Sequence, residues 1–260
     1  MKHLKELHLV ENHISAIEND GFKGATKLTM INLRRNLIKR IPKNTFNGAD
    51  LPQVQDIYLH NNHLRSIASE TFCNMTLLSY IDLRNNKIAH ISQDAFKGLT
   101  KLEILLLTRN LLTSTAWIIG NANSFQNLNL LVIEYNRLKT LSTNLLDSLP
   151  KTSYLRLAEN PWICDLSLKL VYDAWMVRRN RKTDLSGWSC QIPRKPNQRK
   201  KVSDLSNETL EMLSFAEDFH THTKNRDKVQ PSKGSPRIGH SQSPLVIMIC
   251  TCTGVFGLVR

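Results

Sequence analysis

Apolar residues return along this chain at a fixed interval. Leu4, Leu7, Leu9, Asn12, Ile14, Ile17 and Phe22 form one set, and it recurs as Leu28, Ile31, Leu33, Asn36, Ile38, Ile41 and Phe46. Val54, Ile57, Leu59, Asn62, Leu64, Ile67 and Phe72 make a third copy, and Leu78, Ile81, Leu83, Asn86, Ile88, Ile91 and Phe96 a fourth. The asparagines continue as Asn110, Asn136 and Asn160, at spacings of 24, 26, 24, 24, 26 and 24 residues, so seven units share one register. A period of this length marks a repeat architecture and outranks local propensity. Within each unit the alternation around the second and third apolar positions, as in Glu6-Leu7-His8-Leu9-Val10, predicts a short strand with its leucines inward and its neighbours outward. One such strand cannot bury its leucines alone. Stacked units pair their strands in parallel and close one continuous core, so the expected fold is an α/β solenoid of about seven repeats with a parallel sheet on the concave face.

The recurring asparagine has a physical reason. Where the chain turns out of each strand, backbone groups would be buried without partners, and an amide side chain carries both donors and an acceptor to meet them. The phenylalanines at 22, 46, 72 and 96, with Leu146 in the same place, are expected to fill the wider back of the coil. The combined pattern, LxxLxLxxNxI followed by Phe, resembles the typical extracellular leucine-rich repeat family over residues 4–160. That resemblance implies a leucine-rich repeat horseshoe and leaves the ligand open, because one scaffold serves many partners. Two units depart from the pattern. The fifth has Gly120 in the phenylalanine position and Thr113-Ser114-Thr115-Ala116-Trp117 in its second half, so its convex side is expected to be irregular. The seventh has Thr152 at its first apolar position, as suits a last repeat giving way to a cap.

From Asn160 the chain reads Asn-Pro-Trp-Ile-Cys-Asp-Leu, and the repetition ends. Leu168, Val171, Tyr172 and Trp175 follow at helical spacing, which predicts a short amphipathic helix over the open end of the core. This stretch resembles the cysteine-rich C-terminal flanking cap of the same family, here over 161–217. Cys164 matches the first cysteine of the cap pattern and Cys190 the third, while Leu166 stands at the second and none falls where the fourth belongs. The family pairs first with third, so the resemblance implies a Cys164–Cys190 disulfide, closing roughly 26 residues and worth about 3 kcal/mol. Two buried thiols in a cytosolic protein are the alternative. Cys73 is assigned no role, being either a buried thiol or an intermolecular link.

Length and hydrophobic content, 260 residues and 41%, allow a sizeable core. The formal net charge of +13 is uneven: residues 1–160 carry 19 basic and 13 acidic side chains, whereas 176–201 hold nine basic residues, from Arg178 to Lys201, against Asp184. No apolar leader precedes the first repeat, since Met1-Lys2-His3 runs straight into it. No N-terminal cap is recognised, so the first repeat reads as an internal one, and association through its Leu4, Leu7 and Leu9 edge is expected of the chain alone. Residues 218–244, rich in His, Thr, Lys, Ser, Pro and Gly, read as a disordered linker. The apolar run within 245–260 is shorter than a spanning helix needs. It reads as the first part of a transmembrane segment, with a marginal anchor and a mispredicted exon as alternatives.

No catalytic signature is found: no phosphate-binding glycine loop, HExxH or GxSxG occurs, and no metal-type cysteine spacing. No cofactor is expected. The informative surface is the outward face of the strands, whose first column is Glu6, Met30, Asp56, Tyr80, Ile104, Leu130, Tyr154 and whose second is His8, Asn32, Tyr58, Asp82, Leu106, Val132, Arg156. Tyr58, Tyr80, Ile104, Leu106, Leu130, Val132 and Tyr154 are expected to form an exposed patch, joined by Tyr135, and such a patch usually marks a protein interface. Arg34, Arg35, Arg84, Arg109 and Arg156, interspersed with Asp56, Asp82, Glu134 and Glu159, make a mixed rim, which argues against phosphate reading and makes nucleic acid an unlikely partner. The expected role is a receptor- or adhesion-like ectodomain with a protein ligand, at the cell surface or secreted. A soluble secreted binder is one alternative, and a module binding heparan-type polyanions through Arg178 to Lys201 another. Asn74-Met-Thr76 and Asn207-Glu-Thr209 are N-glycosylation sequons.

Overall fold

Seven three-residue strands lie side by side in one parallel sheet: β1 (Glu6–His8), β2 (Met30–Asn32), β3 (Asp56–Tyr58), β5 (Tyr80–Asp82), β7 (Ile104–Leu106), β8 (Leu130–Val132) and β9 (Tyr154–Arg156). Two further strands, β4 (Ser66–Ile67) and β6 (His90–Ile91), pair with each other in parallel within the return segments. The computed structural model describes residues 3–150, 154–178, 188–193, 195 and 197–206. The chain divides into Met1–Leu213 and Ser214–Arg260, and the second unit lies outside the described residues, as do Thr152, Asn207 and the expected linker and apolar tail. Register is uniform: Glu6 faces Met30, Met30 faces Asp56, Asp56 faces Tyr80, and so on to Tyr154. The central residue of each strand from Ile31 to Leu155 is buried in one continuous core, because period two turns it inward while its neighbours point out.

The asparagine column shows its chemistry in full. The Asn86 amide donates to the carbonyl of Leu83 in its own repeat, 3.1 Å, and of Leu59 in the preceding one, 3.0 Å, while its oxygen accepts from the preceding repeat's Leu64 N–H, 3.0 Å. Asn36, Asn62, Asn110, Asn136 and Asn160 repeat this on their own neighbours, and all are buried. Each side chain therefore clamps two repeats together. Asn12 is the exception to the seven-fold expectation: it is exposed and its amide reaches only Val10 O, 3.0 Å, because no described repeat stands before it to accept the bonds.

Immediately ahead of each ladder asparagine the backbone turns left-handed. Glu11, Arg35, Asn61, Asn85, Arg109, Tyr135 and Glu159 all have φ between 53° and 57°. The turn aims their N–H groups at the next repeat, as with Arg35 N to His60 O, 3.0 Å, and Arg109 N to Glu134 O, 3.1 Å. Only glycine and, less strongly, asparagine adopt this conformation cheaply; another L-residue costs about 1–2 kcal/mol.

On the back of the coil Phe22, Phe46, Phe72 and Phe96 stack at centroid distances of 5.6, 5.5 and 5.8 Å. The fifth repeat is irregular as expected, and the structure shows how its core is kept full. A short helix, α1 (Ala116–Gly120), brings in Trp117, 5.8 Å from Phe96, and Phe125 follows at 5.9 Å, so two aromatic rings from new sequence positions replace the missing phenylalanine.

The cap is built from β10 (Trp162–Ile163), α2 (Leu166–Arg178), β11 (Ser189–Gln191) and β12 (Arg199–Lys201), with β11 parallel to β10 and antiparallel to β12. Asp165 caps the helix, its carboxylate accepting from Leu168 N–H at 2.6 Å. Leu168, Val171 and Trp175 are buried and Tyr172 is half-buried, with Trp162 and Trp188 completing the lid. Cys164 and Cys190 form a disulfide across 26 residues of chain, and Cys73 is buried, far from the surface role of an intermolecular link.

Candidate functional site

The outward face of the sheet carries four columns of side chains in register, two from the strands and two from the turns after them. At its centre Tyr58 on β3 and Tyr80 on β5 meet at 5.0 Å between ring centroids, tilted by 39°. Burial, then the nearby Asp82 carboxylate, pushes the Tyr80 hydroxyl up to about 12, and burial likewise raises Tyr58. Both phenols are thus half-buried, neutral donors. Ile104, Leu106 and Leu130 are half-buried beside them. Val132 is not part of an exposed patch: at 6% exposure it is covered on the face. Exposure is greatest at the far end, where Tyr135 and Tyr154 are 48% and 50% accessible.

The charged groups pair in ways that alternation along a strand makes possible. Asp82 has a side chain with 0% exposure, and Arg84, two residues on and so on the same face, covers it with Nε to Oδ1 at 3.0 Å and Nη2 to Oδ2 at 2.7 Å. His60 Nδ1 lies 2.9 Å from Asp82 Oδ2 but off the line that a hydrogen bond needs. Burial lowers the His60 pKa; Asp82 pulls against this, and Arg84, Arg34 and Arg35 add to it, so the ring is neutral at neutral pH. Burial raises the Asp56 carboxyl. Arg35 pairs with Glu11, and Arg156 Nε stands 3.6 Å from Glu134. Arg109 holds its guanidinium 5.3 Å above the Tyr135 ring, a cation–π contact between adjacent left-handed turns.

The other residues singled out in the sequence lie elsewhere. Asn74 is exposed in a return loop with φ of 59°. Its backbone passes so close to the neighbouring repeat that a Cβ on Gly48 would fall 1.8 Å from the Asn74 carbonyl oxygen, which is why glycine stands there. Of the basic stretch, Arg199, Lys200 and Lys201 are exposed along β12, and residues 179–187 lie outside the described residues. A cleft of about 350 Å³ near α1 is lined by Thr113, Ser114, Thr115, Ala116, Ile119, Thr140, Leu141 and Ser142, none of them ionisable. Among the described residues no cluster of three or more His, Cys, Asp or Glu could hold a metal. No described helix is long and apolar enough to cross a membrane.

A parallel ladder of short strands, held by a column of asparagines and presenting an open sheet face, defines a solenoid of stacked repeats. The family model described as Leucine rich repeat matches residues 2–51 and 52–112, and these repeats belong to that family. A mouse protein, leucine-rich repeat and transmembrane domain-containing protein 1, is 33% identical over 97 residues, 35% of this chain and 25% of its own length. The chain therefore matches only about a quarter of that relative. Among solved structures, TLR13 in its complex with ssRNA13 superposes with a TM-score of 0.55 at 26% identity, over 61% of this chain and 22% of that one. Human 5T4, also named Wnt-activated inhibitory factor 1 or trophoblast glycoprotein, superposes with a TM-score of 0.55 over 80% of this chain and 87% of its own. At 18% identity it shares the fold.

Proposed function

We propose that the chain is a protein-binding ectodomain, receptor- or adhesion-like, that takes a protein ligand on the concave sheet and performs no catalysis. Tyr135 carries the reading. Its ring is half exposed, its backbone sits at φ 54° where asparagine would cost less, and its one noted ring contact is with Arg109, another exposed residue in the same strained column. A local rule broken without a gain in packing points to selection for the surface. A second pair of tyrosines, Tyr58 and Tyr80 from adjacent strands, supplies rigid amphipathic area of the kind interfaces use. The cap disulfide and the exposed Asn74 sequon suit an exported protein. The test is surface plasmon resonance of the chain against individually expressed cell-surface and secreted proteins. A partner is expected whose affinity falls about 30-fold or more in Tyr135→Ala with Tyr154→Ala; binding that no substitution on the sheet face weakens removes the concave-face reading.

A second reading is favoured by the three successive exposed cations Arg199, Lys200 and Lys201: the cap binds a polyanion such as a heparan-type chain. Such binding falls steeply as salt rises, whereas binding through the tyrosines changes little.

A further inference from the structure

The charges on the sheet face are sorted rather than mixed. In repeats two to five the two columns after the strands hold Arg34, Arg35, His60, Arg84 and Arg109 and no acid, while the two columns at the strand starts hold Asp56 and Glu103 and no base. Between the edges run the half-buried Tyr58 and Leu106 and the fully buried Asp82 that Arg84 covers, with Tyr80 beside them in the column of Asp56. The basic edge also has unspent charge: Arg35 is engaged by Glu11 and Arg84 by Asp82, but Arg34 and Arg109 form no ion pair among the described residues and are exposed.

From this sorting we infer that the face takes an extended polypeptide segment running along the solenoid axis, with acidic side chains toward Arg34 and Arg109 and apolar or aromatic ones over Tyr58 and Tyr80. The inference rests on the protein-binding reading above and adds the partner's chemistry and orientation. A nucleic acid or heparan chain fits less well, because a strand charged along both sides would meet Asp56 and Glu103 across the sheet. Neighbouring strands step by about 4.8 Å, so Arg34 and Arg109, three strands apart, stand about 14 Å from one another along the axis. An extended peptide covers that span in about four residues, which places the two acids on the same side of the strand, since alternate residues share a face.

The experiment uses the full chain and three immobilised probes: a random copolymer of glutamate and tyrosine, one of lysine and tyrosine, and single-stranded polyuridylate. The glutamate–tyrosine polymer is expected to bind best, and Arg34→Glu with Arg109→Glu to weaken it about tenfold or more. Both sites are exposed, and Glu103→Lys, equally exposed on the opposite edge, serves as the charge-change control expected not to weaken it. No binding of that polymer, a double variant within twofold of the parent, or polyuridylate bound as tightly overturns the inference. If the lysine–tyrosine polymer binds best and Tyr58→Ala with Tyr80→Ala abolishes it, the protein-binding reading stands and the acidic partner falls. If no substitution on the face affects any probe, both fall.

Discussion

Asn12 and Asn160 occupy the same position of the same motif and live under different physics. Asn12 is exposed and holds one carbonyl two residues away. Asn160 is 1% exposed, donates to Ile133, Leu157 and Ala158, and accepts from Asn136 and Leu138 of the repeat before it, while its own carbonyl receives Arg199 from the cap. The difference shows that the ladder asparagine serves the preceding repeat at least as much as its own. Its worth belongs to the junction between two units, as nearest-neighbour coupling in a solenoid requires.

The largest test of that contrast is a pair of alanine substitutions. Asn86→Ala orphans two carbonyls and an N–H in a buried site and should cost about 4 kcal/mol at about 1–3 kcal/mol for each group, whereas Asn12→Ala should cost under about 0.5 kcal/mol. Urea melts followed by circular dichroism read both; equal losses would mean that the bonds act within a repeat. Next in size is the covalent closure behind Asn160. Cys164→Ser with Cys190→Ser should lower stability by about 3 kcal/mol and release the cap before the repeats, which hydrogen exchange at Trp162 and Leu168 would report. Exchange lost evenly along the chain would show instead that the cap and ladder open as one. The smallest effect is at the left-handed column. Tyr135→Asn should raise stability by about 1 kcal/mol while weakening partner binding, and a loss of stability would show that the ring packs more than it binds.

Much of this was legible in the sequence, for a reason that also marks where legibility ends. The ladder asparagines and the inward leucines are fixed by period alone, and so the strands and their register follow, whereas the Cys164–Cys190 bridge was implied only by the resemblance to the family's C-terminal cap. Asn12 has the same motif neighbours as the other six and is exposed, because the ladder bonds are made to an adjoining repeat that the motif itself does not show. Period alone does not place Trp117 and Phe125 in the core, because they lie seven and fifteen residues after Asn110, whereas Phe22, Phe46, Phe72 and Phe96 each lie ten after their own asparagine. The Asp82–Arg84 pair had a readable signal, two opposite charges at period two on one strand face, yet its depth of burial depends on the neighbouring strands. Val132 looked exposed by alternation and is covered, since alternation says which way a side chain points and not what lies above it.

The aromatic stack has a geometric consequence of its own. Its rings advance 5.5 to 5.8 Å for every repeat, whereas strands in a sheet advance about 4.8 Å. A body whose outer layer is longer than its inner one must bend, so each phenylalanine acts as a wedge and the sum of the wedges sets the arc. Trp117 and Phe125 continue this layer at 5.8 and 5.9 Å from Phe96, so the wedge is kept through the irregular fifth repeat. The residues least visible to a ligand are therefore the ones that decide how closely two distant side chains on the face can grip it.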